Sequence, residues 1–266
     1  MTKTARAIKG NDPSSSYLSI QKAFRILERL ASAGAPQGVT EISAALELEK
    51  SGISRLLKSL SELGYVVQGA RRGQYQVSAK LVTLAQQYLG GDRLTREAGP
   101  VLRELALNAR SSAHLAVLVR GEMVIVAKES SPGLIQIATR VGGGAPLHAS
   151  AMGKILLAGM PPEEFDAFLA RPLKRFTDKT ITDPRKLRKA IDEIRRRGHS
   201  FECEEEHAGV GCIGAPVVDS HGRCIAAMSI AGPLRGTTFR LDAGHVRLVT
   251  DKAAELSRLV GSEAGA

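Results

Sequence analysis

Apolar residues recur at two different periods along this chain, and the change of period divides it. From Ser19 to Val66 the spacing is mostly helical. Ile20, Ala23, Phe24, Leu27, Leu30 and Ala31 form one stripe, which predicts a helix capped by Ser19 and ending near Ala33. After the loop Gly34–Gly38, Thr40 is placed to cap a short helix with Glu41 in its first turn and Ile42, Ala45 and Leu46 inward. The connection Glu47-Leu48-Glu49 then leads into a second stripe. Ile53, Leu56, Leu57, Leu60 and Leu63 fall on one helical face, and Gly64 stops it. There the period drops to two. Tyr65–Gln68 and Gln74–Val77 flank the turn Gly69-Ala70-Arg71-Arg72-Gly73 and predict a β-hairpin.

The rest of the chain mixes both periods. Leu81, Leu84, Ala85, Tyr88 and Leu89 mark a helix from Ser78 to about Gly90, and a second runs from about Leu94 to Asn108. Ala113–Val119 and Met123–Ala127 form a hairpin around Arg120-Gly121-Glu122, and Leu134–Thr139 is a third strand candidate. A Gly-rich turn at Gly142-Gly143-Gly144 precedes Ser150, which can cap a helix to Ala158. Further helices are expected at Pro162–Leu169 and Asp183–Arg197, the latter with Pro184 at its first position. Strands His199–Glu205, Gly211–Val218 and Cys224–Ile230 precede a closing helix from about Leu241 to Val260. Helices combined with hairpin-linked strands predict an α+β domain with a mostly antiparallel sheet.

Length and charge sharpen this division. A chain of 266 residues exceeds one typical domain. We divide it into a disordered basic arm (1–15), a small helical domain with a hairpin (16–78), and a linker helix with the α+β domain (79–263). The net charge is +10, and the first 80 residues carry 12 Lys and Arg against 6 Asp and Glu. A basic front third points to a polyanion partner. Three helices, the last two short and closely joined, followed by a hairpin, are the pattern of a winged helix-turn-helix. Lys50, Ser51, Ser54, Arg55 and Lys58 lie off the apolar stripe of the third helix, and Arg71 and Arg72 sit at the wing tip. These seven are the candidate DNA contacts, with Arg55 the guanine reader because its guanidinium can pair both acceptors of a guanine edge. One such domain makes few contacts, so a dimer reading a two-fold related site is expected. No apolar run reaches the length of a membrane span and no signal-peptide pattern follows Met1, so a cytoplasmic protein is expected. Cys203, Cys212 and Cys224 form no C-x-x-C pair and read as small apolar strand residues.

The chain resembles the IclR family of bacterial transcriptional regulators. The resemblance rests on Ser19-Ile20-Gln21-Lys22-Ala23-Phe24-Arg25-Ile26-Leu27, Thr40-Glu41-Ile42-Ser43, Lys50-Ser51-Gly52-Ile53-Ser54-Arg55-Leu56-Leu57 and Gly64-Tyr65-Val66. It is strongest at Pro146-Leu147-His148-Ala149-Ser150-Ala151-Met152-Gly153-Lys154 and extends through Gly209–Pro233. It implies a GAF/profilin-like effector domain, a homodimer or pair of dimers, no cofactor, and an effector pocket. Carried over by position, that pocket is lined by Leu134, Ile137, Ala145, Ala151, Met152, Glu202, Val210, Cys212, Ser229 and Ala231. Many relatives sense small organic or aromatic acids, and the helix start at Ser150–Gly153 suits an acceptor group. Glu202 and Ala231 depart from what a small acid would need, which points to a larger or less anionic ligand. Repression is the commoner mode of action in the family, with activation the alternative on the same fold.

Other motifs lack the context their chemistry needs. Gly209-Val210-Gly211-Cys212-Ile213-Gly214 matches G-x-G-x-x-G but runs into a strand rather than a helix. At Gly153-Lys154 the following Ile155 replaces the Ser/Thr of a phosphate-binding loop. Glu202, Glu204, Glu205 and Glu206 beside His207 read as a strand end, with Glu202, Glu204 and Glu206 sharing one face if the strand continues. No nucleophile, base and orienting group can be assigned together, so an enzyme acting on a small acid is the minor alternative to a DNA-binding regulator.

Overall fold

A computed structural model describes residues 13–132, 139–236 and 239–261. The expected arm up to residue 12, residues 134–138 of the strand candidate expected to end at Thr139, and the last residues of the expected second domain lie outside them; Thr139 itself is described and is not in a strand. The chain divides into two compact units, Met1–Tyr88 and Leu89–Ala266.

The first unit contains α1 (Pro13–Ser32), β1 (Gln37–Gly38), α2 (Val39–Leu46), α3 (Lys50–Glu62), β2 (Val66–Gln68), β3 (Gln74–Val77) and most of α4 (Lys80–Gly91). Helix α1 begins six residues before the expected Ser19, with Pro13 at its first position, where the missing N–H costs nothing. Its buried face is Ile26 and Leu30, flanked by Ala23 and Leu27, while Ile20 and Phe24 are exposed. The apolar stripe assigned to one face therefore covers two. The cap of α2 is Gly38 rather than Thr40: its N–H donates to Glu41 Oε2 at 2.6 Å, and Ala45 is exposed. In α3 the core face is Ile53, Leu57 and Leu60; Leu63 ends the helix and is exposed. Strands β1, β3 and β2 form an antiparallel sheet in that order. Val66 opposes Val77, and Gln37 joins at Tyr75. Gly69 admits no side chain, since a Cβ there would stand 2.7 Å from Pro36.

The second unit contains α5 (Arg93–Ala109), β4 (Ser112–Val119), β5 (Glu122–Ser130), α6 (Ala151–Gly159), α7 (Pro162–Leu169), α8 (Pro184–Arg197), β6 (Ser200–Cys203), β7 (Val210–Val218), β8 (Cys224–Pro233) and α9 (Ala243–Gly261). The five strands form an antiparallel sheet in the order β5-β4-β8-β7-β6. One face carries α5 and α9, with Leu102, Leu105, Val249 and Leu256 packed on Leu115, Ile213 and Ile230. The other carries α6, α7 and α8, through Ile155, Leu157, Phe165, Leu187 and Ile191. Both faces are buried, so the central strands read as nearly unbroken apolar runs. The expected α+β architecture with an antiparallel sheet is present. Strand β6 is shorter than expected. It ends at Cys203 because Glu204 turns into the left-handed region at φ +59, so Glu202, Glu204 and Glu206 do not share a strand face.

Candidate DNA-binding face and ligand cavity

Helix α3 presents its polar residues together. Lys50, Ser51, Ser54, Arg55 and Lys58 are all exposed, opposite buried Ile53, Leu57 and Leu60. At about 100° per residue these five cover roughly 140° of arc, the width of a helix face that can enter a major groove. Lys58 reaches Glu62 at 3.9 Å, an exposed pair that water and salt weaken. Arg55 stands at the edge of the arc and lines a cleft of about 390 Å³ with Lys22, Glu47, Glu49 and Ser51. Arg71 and Arg72 are exposed in the β2–β3 turn, which Gly73 closes at φ +84. Lys80, at the start of α4, donates to Leu63 O at 2.7 Å and lies 4.6 Å from the Tyr65 ring centre. Ser78 donates to Gly64 O, so the end of α3 and the start of α4 are tied together.

In the second unit a cavity of about 830 Å³ opens against residues of all five strands of the sheet. It brings together Ala145, Ala151, Met152, Glu202, Val210, Cys212, Ser229 and Ala231, eight of the ten positions expected from the resemblance. Leu134 and Ile137 lie outside the described residues. The cavity also takes in residues that sequence reasoning missed: His114, Ile125, Thr139, Arg140, Glu206 and His207 among them. His114 was legible only as one polar residue inside the apolar run Ala113–Val119.

One end of the cavity is formed by the N-terminus of α6. Ser150 caps it by accepting from Gly153 N at 3.1 Å, and its own hydroxyl donates to Pro146 O at 2.8 Å. The leading N–H groups of Ala151 and Met152 have no intrahelical acceptor and carry the positive end of the helix dipole. A Cβ at Gly153 would lie 2.5 Å from the Leu147 backbone, so only glycine lets the helix start this close to the preceding extended segment.

A roof loop, Glu204–Gly209, follows β6 and is held from several sides. Glu202 is buried and accepts from the N–H groups of Glu205 at 2.5 Å and Glu206 at 3.3 Å. Burial pushes the Glu202 carboxyl up, against the opposing hydrogen bonds from the Cys212 thiol and that backbone. The same burial raises the Cys212 thiol well above its usual range, which makes it an inert wall residue rather than a reactive thiolate. Lys154, buried on α6, forms an ion pair with Glu205 and donates to Phe201 O at 3.2 Å. Thr177 and Thr180 donate to the carbonyls of Glu204 and Glu205, each at 2.6 Å. Glu206 lines the cavity half-buried, its carboxyl raised by desolvation, with His207 at 3.9 Å.

On the far side, His114 is 1% exposed and its Nε2 lies 2.7 Å from Thr139 Oγ1. Desolvation, aided by Lys128, lowers its pKa to about 4, so the ring is neutral near pH 7. The cavity thus combines apolar walls with few polar groups, a composition suited to binding a small molecule. Among the described residues no group of three His, Cys, Asp or Glu could hold a metal ion, and no helix is long and apolar enough to cross a membrane.

Comparison with known proteins agrees with this division. Residues 19–70 match the IclR helix-turn-helix domain, and residues 86–258 match the bacterial transcriptional regulator IclR C-terminal domain. The chain is 33% identical to the HTH-type transcriptional regulator KdgR of Escherichia coli over 92% of its length and 94% of that protein. It is 30% identical to the HTH-type transcriptional repressor AllR of Klebsiella pneumoniae over 91% of its length and 90% of that protein. Among solved structures, an IclR regulator from Thermotoga maritima aligns with TM-score 0.72 at 28% identity, covering 92% of this chain and 100% of that one. An IclR homologue from Microbacterium hydrocarbonoxydans, in complex with 4-hydroxybenzoate, aligns with TM-score 0.79 at 25% identity over 91% of this chain and 98% of that one.

Proposed function

The chain belongs to the IclR family of bacterial transcriptional regulators, and from that premise we propose that it is a cytoplasmic dimeric repressor released from its operator by a small organic or aromatic acid or a related, larger or less anionic catabolite. The observation that carries this reading is the pairing of an exposed Ser/Arg/Lys face on α3 with a ligand-sized cavity in the second unit. Lys50, Ser51, Ser54, Arg55 and Lys58 contact the major groove, and Arg71 and Arg72 contact backbone or minor groove beside it. The effector occupies the 830 Å³ cavity with an acid group at the α6 N-terminus. A neighbour of this fold binds 4-hydroxybenzoate, an acid of the size this cavity accommodates. We assign no nucleophile with a base among the described residues that line the cavity, and the proposal gives the chain no enzymatic activity.

Dimerisation is supported by exposed apolar side chains on two helices of the first unit: Tyr17, Leu18, Ile20 and Phe24 on α1, and Val82, Leu84 and Tyr88 on α4. Grouped apolar exposure of this kind is characteristic of protein interfaces. The effector acts by binding one arrangement of the paired DNA-binding units better than another, since equal affinity for both would change nothing. The test is binding to the chain's own upstream promoter DNA with and without aromatic acids. Release of the promoter fragment by an acid that binds the second unit supports the proposal; tighter binding on addition of the acid makes the protein an activator or co-repressor-dependent regulator instead.

A further inference from the structure

Helix α8 carries the excess positive charge of the second unit. Leu89–Ala266 hold 25 Lys and Arg against 21 Asp and Glu, and the 14 residues of α8 hold seven against two. Outside α8 the unit has 18 against 19. Three of the seven are engaged within the fold: Arg188 pairs with Asp166 at 2.6 Å, Arg195 with Asp192 at 3.0 Å and Arg197 with Glu193 at 3.5 Å. Arg188 and Arg195 also lie over the Phe165 ring. Arg185, Lys186, Lys189 and Arg196 are exposed and form no ion pair among the described residues. At about 100° per residue, Arg185, Lys189 and Arg196 fall within roughly 40° of arc, on the side away from buried Leu187, Ile191 and Ile194. They stand about 6 Å and 10 Å apart along the helix axis.

Helix stability does not account for this placement. Cations favour a helix near its C-terminus and oppose the dipole near its N-terminus, by about 0.3–1 kcal/mol each. Arg195, Arg196 and Arg197 in the last turn follow that rule; Arg185 and Lys186 in the first turn break it, and that turn holds no acid. The cap Asp183 accepts from the backbone N–H groups of Arg185 and Lys186, not from their side chains. Arg185 and Lys189, four residues apart, also repel each other. We propose that this outward row of α8 binds the phosphate backbone of duplex DNA flanking the site that α3 reads. Beyond Pro184 every exposed residue of α8 is charged, so the face lacks the aromatic or aliphatic anchor at the core of a protein interface. Long cations without an apolar centre suit phosphates instead. DNA already held by the first unit is at high effective concentration for a second, weaker contact on the same chain. The inference rests on the proposed operator reading by α3, and the added contact raises affinity without adding base preference.

The experiment titrates the full-length protein, over a range of salt, against two fragments of its own upstream DNA. One is the shortest segment still bound in preference to random DNA; the other is that segment extended on each side by about two helical turns of unrelated sequence. Wild type is expected to bind the extended fragment at least about tenfold more tightly at low salt, with a salt slope steeper by about 2–3 for each α8 engaged. Arg185→Ser, Lys189→Ser and Arg196→Ser combined should remove both gains and leave binding to the short segment unchanged, which also shows that the variant is folded. Arg185→Lys with Arg196→Lys should keep both gains, because the contact needs charge alone. Wild type that binds the two fragments alike overturns the inference. So does a triple Ser variant that keeps the gains, or one that loses affinity for the short segment. If no segment is preferred over random DNA, the operator reading falls and the inference with it.

Discussion

Single side chains in this protein have sharply different consequences according to burial. On the proposed DNA face of α3, Arg55 and Lys58 are both exposed, yet they are expected to fail differently. Lys58→Ala should weaken binding to all DNA by a similar factor and reduce the salt slope by about one. Arg55→Ala should relax discrimination at one base pair, a loss of about 1–3 kcal/mol for that base alone. Binding curves for a panel of single-base operator variants separate the two, and an unchanged base preference in the Arg55 variant removes it as a reader. His114 is at the other extreme. Burial, aided by Lys128, holds its folded pKa at about 4, below the ordinary imidazole value of 6.5. The stability this neutral ring contributes is therefore complete above pH 6.5 and is lost as pH falls toward 4. The shift corresponds to about 3 kcal/mol. Urea unfolding at pH 7 and pH 4 should show wild type losing about that much more than His114→Phe; equal losses would place the acid sensitivity elsewhere. At this scale the sequence was partly legible. Positions such as Ser229 and Cys212 followed from the family resemblance, whereas His114 could not be assigned to the cavity, because whether a strand residue faces a cavity depends on its partner strands.

Helices and strands were more legible than their ends. Glycines and apolar periods located α3, the wing and the β4–β5 turn, where Arg120 at φ +52 and Gly121 at φ +81 form a tight two-residue connection. Ends misread where backbone groups replaced side-chain caps, as at Gly38, or where a Pro extended a helix outward, as at Pro13. The acidic run after β6 misread because it is a loop held by tertiary partners. The chief one is Lys154, whose buried ammonium joins α6 to Glu205. Removing one member of such a pair strands the other: Lys154→Met should cost about 3–5 kcal/mol, whereas Lys154→Met combined with Glu205→Leu should recover most of it. Denaturant midpoints of the two variants check this, and a double variant no more stable than the single one would show that the loop needs the ion pair itself. The predicted helix at Ser78–Gly90 was found, but its apolar residues Leu84 and Tyr88 are exposed. Periodicity shows that a face is apolar, and it cannot say whether the same chain covers that face.

At the scale of the molecule, the change of apolar period and the basic first 80 residues already separated a front suited to a polyanion from an α+β rear domain, and the family resemblance supplied the rear domain's effector role. The apolar surfaces of α1 and α4 add an expectation about assembly. Sedimentation should give a dimer or a larger even assembly, and replacing both Phe24 and Tyr88 with Glu should shift it toward monomer and lower operator affinity by at least tenfold, since each monomer then holds a half-site alone. A monomeric wild type with full affinity would contradict this. The most direct test of the whole account is a competition experiment at physiological salt between the chain's own upstream promoter fragment and random DNA of equal length. The account predicts a preference of at least about a thousandfold for the promoter fragment; equal affinity for the two would contradict it.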